Sequence, residues 1–273
     1  MPRRRVCIVS FLLFVLLLLV GTAFAAQPPR ADQVQVTTPA LRSIEPPPQQ
    51  ATAEMLEERA DALRAEKLYL DSLDYYRAAI AKKPHDAPLY NKMGIVELLM
   101  QRWPEARKDF ENAIHADKAY SDAYNNLGVI FYISKKYGKA IDRYNKAIKL
   151  NQDMASYYSN LGAALFSKKD FEKSAAAYAN ALSRDPDVFE RTSKNGVAAQ
   201  MARPEDRAHY DYVVAKIYAK MGVADRSLEY LRKALEEGYK GINSVYKDSE
   251  FSGVRKDPRF NQLMASRIPA ITD

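Results

Sequence analysis

Tyr124-Asn-Asn-Leu127-Gly128-Val-Ile-Phe131, followed after a polar interval by Ala140-Ile-Asp-Arg-Tyr144-Asn-Lys-Ala147-Ile148, is the stretch that decides the fold. Tyr124, Leu127, Gly128 and Phe131 recur about once per helical turn and share one stripe of a first helix. Ala140, Ile141, Tyr144, Ala147 and Ile148 do the same for a second. Between them Ser134 to Gly138 are polar and turn-prone, so the unit reads as two antiparallel helices with a short connection. Gly128 costs ~1 kcal/mol against alanine inside a helix. Its presence there points to a backbone contact too close for a methyl group.

The same residues return every 34 positions. Tyr76, Phe110, Tyr144 and Tyr178 form one column, and Ala79, Ala113, Ala147 and Ala181 another. Tyr90, Tyr124 and Tyr158 keep the interval, as do Gly94, Gly128 and Gly162, and the aromatic series Tyr69, Trp103, Tyr137 and Phe171. With these columns the chain resembles the tetratricopeptide repeat family, in which an aromatic, Leu-Gly, a second aromatic, Ala-x-x-x-aromatic and a closing proline recur at this period. The resemblance implies an all-α fold, a right-handed α-solenoid of antiparallel helix pairs. A single pair cannot bury its apolar side, so each unit must lean on its neighbours.

Units are expected at 53–86, 87–120, 121–154, 155–188 and 208–241. In the first, Arg59 stands where leucine is expected, although Ala60, Ser72, Tyr76, Ala79 and Pro84 are in register. The last keeps Val214, Ala215, Tyr218, Ser227, Leu231 and Ala234 without a glycine after Val214. Residues 189–207 form an insertion, read as a connecting loop, in which Lys194-Asn195-Gly196 is a turn signal. Residues 242–273 read as a capping region, with Val254, Phe260 and Leu263 placed to cover the last helix pair. Its Asp257-Pro258-Arg259-Phe260 resembles the tails of bacterial repeat proteins of this kind.

Ahead of the repeats, residues 1–25 read as a secretory signal: Arg3 to Arg5, an apolar run from Val6 to Val20, and Ala23-Phe24-Ala25 as the cleavage site. Export to the periplasm or beyond follows. The alternative is an anchor in the inner membrane through residues 6–26, since the apolar run approaches the ~20 residues that span a bilayer. Residues 26–52 hold Pro28, Pro29, Pro39, Pro46, Pro47 and Pro48 and read as a disordered, extended linker. The only cysteine is Cys7, so no disulfide forms within the chain. Removing Arg3, Arg4 and Arg5 with the leader lowers the net charge from +7 to +4. So small an excess gives no nucleic-acid partner, and a membrane partner only if the leader stays.

No catalytic set emerges. His85, His115 and His209 are far apart in sequence, and there is no His-Glu-x-x-His, cysteine pair, Gly-x-Ser-x-Gly elbow or phosphate loop. No cofactor, no metal and no enzyme activity are expected. Lys135-Lys136 and Lys168-Lys169 fall in the turns of successive units and read as solvated charge. The resemblance instead implies a concave groove lined by first helices, where residues before the Leu-Gly pair meet an extended peptide. On this basis the peptide-binding residues are Asn91, Lys92, Ile95, Asn125, Asn126, Val129, Tyr132, Asn160, Ala163 and Phe166, beside Ser159. Alanine at Asn126 and Asn160 is expected to weaken capture without changing melting. Glu57, Asp61 and Asp122 stand where some family members place a basic clamp for a C-terminal carboxylate, so that ligand is not expected. The function implied is non-enzymatic binding of an extended segment of an envelope protein. The alternative is a scaffold for a membrane-associated complex, docking through its convex face or residues 189–207.

Overall fold

The computed structural model describes residues 44–189 and 204–266. The leader, the linker up to residue 43, the Lys194-Asn195-Gly196 turn and the final residues lie outside them. Four helix pairs come first: α1 (Ala53–Ala65) with α2 (Tyr69–Lys82), α3 (Ala87–Leu99) with α4 (Trp103–Ala116), α5 (Ser121–Ile133) with α6 (Tyr137–Leu150), and α7 (Ala155–Ser167) with α8 (Phe171–Arg184). A fifth pair, α9 (Pro204–Lys220) and α10 (Ala224–Glu236), precedes three short 3-10 turns and α11 (Pro258–Ala265). Each second helix packs on the next first helix, and α5 also touches the flanking first helices α3 and α7. This is an α-solenoid of antiparallel helix pairs. Among the described residues no helix is long and apolar enough to cross a membrane.

Within a pair, the column of glycines explains how two backbones come so close. A Cβ built on Gly128 would stand 2.5 Å from Cε1 of Tyr144, and one on Gly162 2.5 Å from the Tyr178 ring. Gly94 meets Phe110 in the same way, at 2.7 Å. The rings so covered are fully buried. A second small column holds the other crossing: Ala106 and Ala140 are buried there, and where serine replaces them its hydroxyl donates across the pair. Ser72 Oγ reaches the carbonyl of Ala60, Ser174 Oγ that of Gly162 and Ser227 Oγ that of Ala215, each at 2.9 Å. A buried hydroxyl is thereby satisfied without opening the packing. Between pairs, Ala113 lies with Ala87 and Ala123, and Ala147 with Tyr124 and Tyr157.

Both ends of the array are covered. The proline-rich stretch does not run free to residue 52. Ile44 and Ala51 pack on the first core, Glu45 offers its carbonyl to the Tyr75 hydroxyl at 3.2 Å, and that of Gln49 accepts from Lys82 Nζ at 3.0 Å. At the other end Ile242, Val245, Phe251, Val254, Phe260 and Met264 bury against the α9/α10 core. Arg255 Nη1 ties the 3-10 turns together by donating to the carbonyls of Val245 and Asp248, both at 2.8 Å.

The second unit departs from the apolar pattern. Glu97 stands in the column of Leu63, Phe131 and Leu165, and like Asp109 it is buried. Arg77 and Arg102 reach the Glu97 carboxylate at 3.5 and 3.4 Å. Asp109 gains no such partner among the described residues. Burial, and then the Glu97 charge, push its carboxyl up to about 7.

Two outcomes follow from this packing. Gly128→Ala should gain ~1 kcal/mol of helix propensity and lose more to overpacking against Tyr144, for a net loss of roughly 1–3 kcal/mol in denaturant melts. Gly138→Ala, with nothing within 4 Å of its Cβ, should cost nothing. Asp109 holds a proton when folded that the unfolded chain releases near 3.8, the ordinary value of an aspartate. Its contribution to stability is therefore present at acid pH and lost as pH rises toward about 7. Asp109→Asn should flatten the fall of melting temperature over that window and raise it at pH ~8, by roughly 1–3 kcal/mol of stability.

Candidate functional site

The first-helix face carries the residues that sequence singles out, and it joins them into a ladder. Asn126 Nδ2 donates to Asn91 Oδ1 and Asn160 Nδ2 donates to Asn125 Oδ1, each at 2.9 Å and each across 35 positions. Asn125 Nδ2 in turn donates to Asn126 Oδ1 at 3.1 Å, so the four amides form one run through three units. Lys92 occupies the same column one unit earlier and makes the same backward reach. Its Nζ lies 2.6 Å from Glu57 Oε1 and 2.6 Å from Asp61 Oδ2. Asp61 also accepts from the Tyr76 hydroxyl at 2.5 Å and from Arg64 at 3.2 Å. Burial pushes the Asp61 carboxyl up, but the Lys92 and Tyr76 hydrogen bonds overcome it and hold it below its ordinary value.

Other polar groups on this face are engaged in the same sense. Asp122 accepts from the Tyr157 hydroxyl of the next unit, and the hydroxyls of Tyr132 and Ser167 meet at 3.1 Å. Asn91, Asn125, Ser159, Tyr132, Ala163 and Phe166 are buried, whereas Lys92, Ile95, Asn126, Val129 and Asn160 keep partial exposure. The amides thus hold neighbouring units in register, a role that spacing did not reveal because each partner lies one residue beyond the repeat period. Glu57 and Asp61, read as misfits for a basic clamp, are the acceptors that hold Lys92.

Sequence reasoning missed a large cleft among the described residues. The break in the period after α8 leaves a cleft of about 950 Å³ between α8, α9 and the C-terminal turns. Ala175, Ala176 and Ala179 line one wall and Val213, Ile217 and Met221 the other. Units two and three carry Arg107, Lys108 and Glu111, or Ile141, Asp142 and Asn145, at the positions of those alanines. That loss of charge was the available signal.

Aromatic contacts connect the end of α7 to this cleft. Phe166, at the end of α7, lies 5.0 Å from Phe171 and 5.2 Å from His209. His209 continues to Tyr239 at 5.1 Å, stacked, and Tyr239 to Tyr212 at 4.7 Å. Burial in this row pushes the His209 imidazole below its usual value. At the polar end Lys216 Nζ stands 3.0 Å from Asp248 Oδ2 and 3.5 Å from Glu250 Oε1, and Tyr212 donates to Asp248 at 2.9 Å. His85 and His115 are exposed and remote. Among the described residues no group of His, Cys, Asp and Glu is arranged to hold a metal ion.

Two family models match, "TPR repeat" over residues 129–169 and "Tetratricopeptide repeat" over 155–188. No curated protein matches the chain in sequence. Solved structures are similar in fold. PilF of Pseudomonas aeruginosa is 16% identical, with 75% of this chain and 82% of that one covered at a TM-score of 0.50. MamA of Desulfovibrio magneticus RS-1 is also 16% identical, covering 68% and 94% at 0.48. YrrB, a TPR protein with an unusual peptide-binding site, is 19% identical, covering 71% and 91% at 0.46.

The ladder changes what alanine at Asn126 and Asn160 should do. Each substitution removes a donor from the buried oxygen of Asn91 or Asn125, so each should lower stability by ~1 kcal/mol. The melting temperature of the double variant checks this. An unchanged melt would mean that the amides stand free.

Proposed function

We propose that the chain, whose residues 129–188 match tetratricopeptide repeat models, is a non-enzymatic protein-interaction module that binds an extended segment of a protein partner. The observation that carries the reading is the cleft between α8 and α9, an open recess with aliphatic walls, aromatic residues Phe171, His209, Tyr212 and Tyr239, and a charged end at Lys216, Asp248 and Glu250. Pockets of this size and lining are the usual place where one anchoring side chain gives a peptide its affinity. In this reading the segment passes over the exposed parts of Lys92, Ile95, Asn126, Val129 and Asn160. It then sets an aliphatic or aromatic side chain among Ala175, Ala179, Val213 and Ile217, with Phe166 and Phe171 at the turn between the two. The hydrogen bonds already made by the asparagines leave shape and apolar contact as the source of affinity, with the amides supplying a fixed track. If the leader exports the chain, the partner is an envelope protein.

Ala179→Glu tests this, because Glu111 already occupies the equivalent helix position in unit two. Peptides selected from a random library on the wild-type chain should bind the variant at least about tenfold more weakly, the cost of a charge in an apolar pocket. Equal binding by both chains, with unchanged melting, would remove the cleft from the site.

A further inference from the structure

Stacking of the third and fourth units gathers lysines that are separate in sequence. Lys135, Lys136, Lys139 and Lys168 rim one hollow of about 370 Å³ with Tyr137 and Gly138, and Lys169 adjoins it. All five lysines are exposed. The adjacent acid, Asp170, is taken by Lys173 at 2.8 Å, and no ion pair neutralises the five among the described residues. Like charges held together on one shallow surface raise the local positive potential and attract an anionic partner.

The helix that begins in this hollow adds to the field. Lys136 is the N-cap residue of α6, which has no side-chain cap and no acid in its first turn. In contrast α4 has Glu105 there, and α8 has Glu172 together with Asp170 as a cap. Nothing stands within 4 Å of where a Gly138 Cβ would be, so the first-turn backbone is open to approach. The positive end of the helix and the lysines therefore act on the same point.

We propose that this hollow docks an acidic segment of the protein partner, one carboxylate lying at the start of α6 and others across Lys136, Lys139 and Lys168. The proposal rests on reading the chain as an interaction module, but it concerns a surface separate from the cleft. Charge complementarity selects the occupant: exposed lysines from two stacked units lie on one shallow surface that an acidic chain can follow from turn to turn.

The test uses the full chain and a fluorescein-labelled oligoglutamate peptide, which has nothing to place in the apolar cleft. The triple variant Lys136→Glu, Lys139→Glu and Lys168→Glu should bind it at least about tenfold more weakly, and the glutamine triple variant by less, as expected for lost charge complementarity. Reversal of three exposed lysines elsewhere, Lys118, Lys146 and Lys149, should leave most of the binding in place. Circular dichroism spectra of every variant should keep the wild-type helix content at the assay temperature, since the exchanged lysines are exposed. Equal losses in the two charge-reversed triples would reduce the effect to net charge and overturn the site. So would lysine-dependent binding to phosphatidylglycerol vesicles with no binding of the peptide. If oligoglutamate ignores these lysines while library peptides still lose affinity in Ala179→Glu, this docking site falls and the interaction module stands.

Discussion

An aromatic ring laid on a backbone that lacks a Cβ is the contact on which the central units depend. Tyr144 and Tyr178 are fully buried because Gly128 and Gly162 let the first helix come down onto them. Once the two helices are that close, one flank of the pair is sealed and the other remains apolar, which only a neighbouring unit can cover. Repetition is thus a consequence of local packing. The same logic accounts for the ends: Ile44 and Ala51 at one, and Phe251, Val254 and Phe260 at the other, supply apolar cover without another full pair.

Much of this was legible in sequence, because steric demands that recur every 34 residues leave visible columns. Tyr76, Phe110, Tyr144 and Tyr178 announced the buried ring, and the glycines announced the close approach. The polar face was harder to read. Asn126 and Asn160 sit where a peptide contact is expected, yet their partners lie 35 residues back, off the column. Glu97 and Asp109 were also silent, since a single exception within a repeated pattern looks like noise until the structure puts the two acids in one interior.

The cleft shows the opposite limitation. It exists because the period is broken after α8, and a pattern search has least to say where the pattern stops. The change from Arg107, Lys108 and Glu111 to Ala175, Ala176 and Ala179 was present in the sequence, but alanines on a helix carry no meaning alone. Their meaning comes from Val213, Ile217 and Met221 facing them. Positional roles in a solenoid are therefore best read by comparing units with one another.

The backward reach from one unit to the previous one has a consequence for the identity of the array. Lys92 finds two carboxylates, whereas Asn126 and Asn160 each find an amide oxygen. Transposing the second and third units would set a cation beside a neutral amide and an amide against paired anions. The charged key of the second unit fits the paired acids of the first, so that junction of the array is itself encoded.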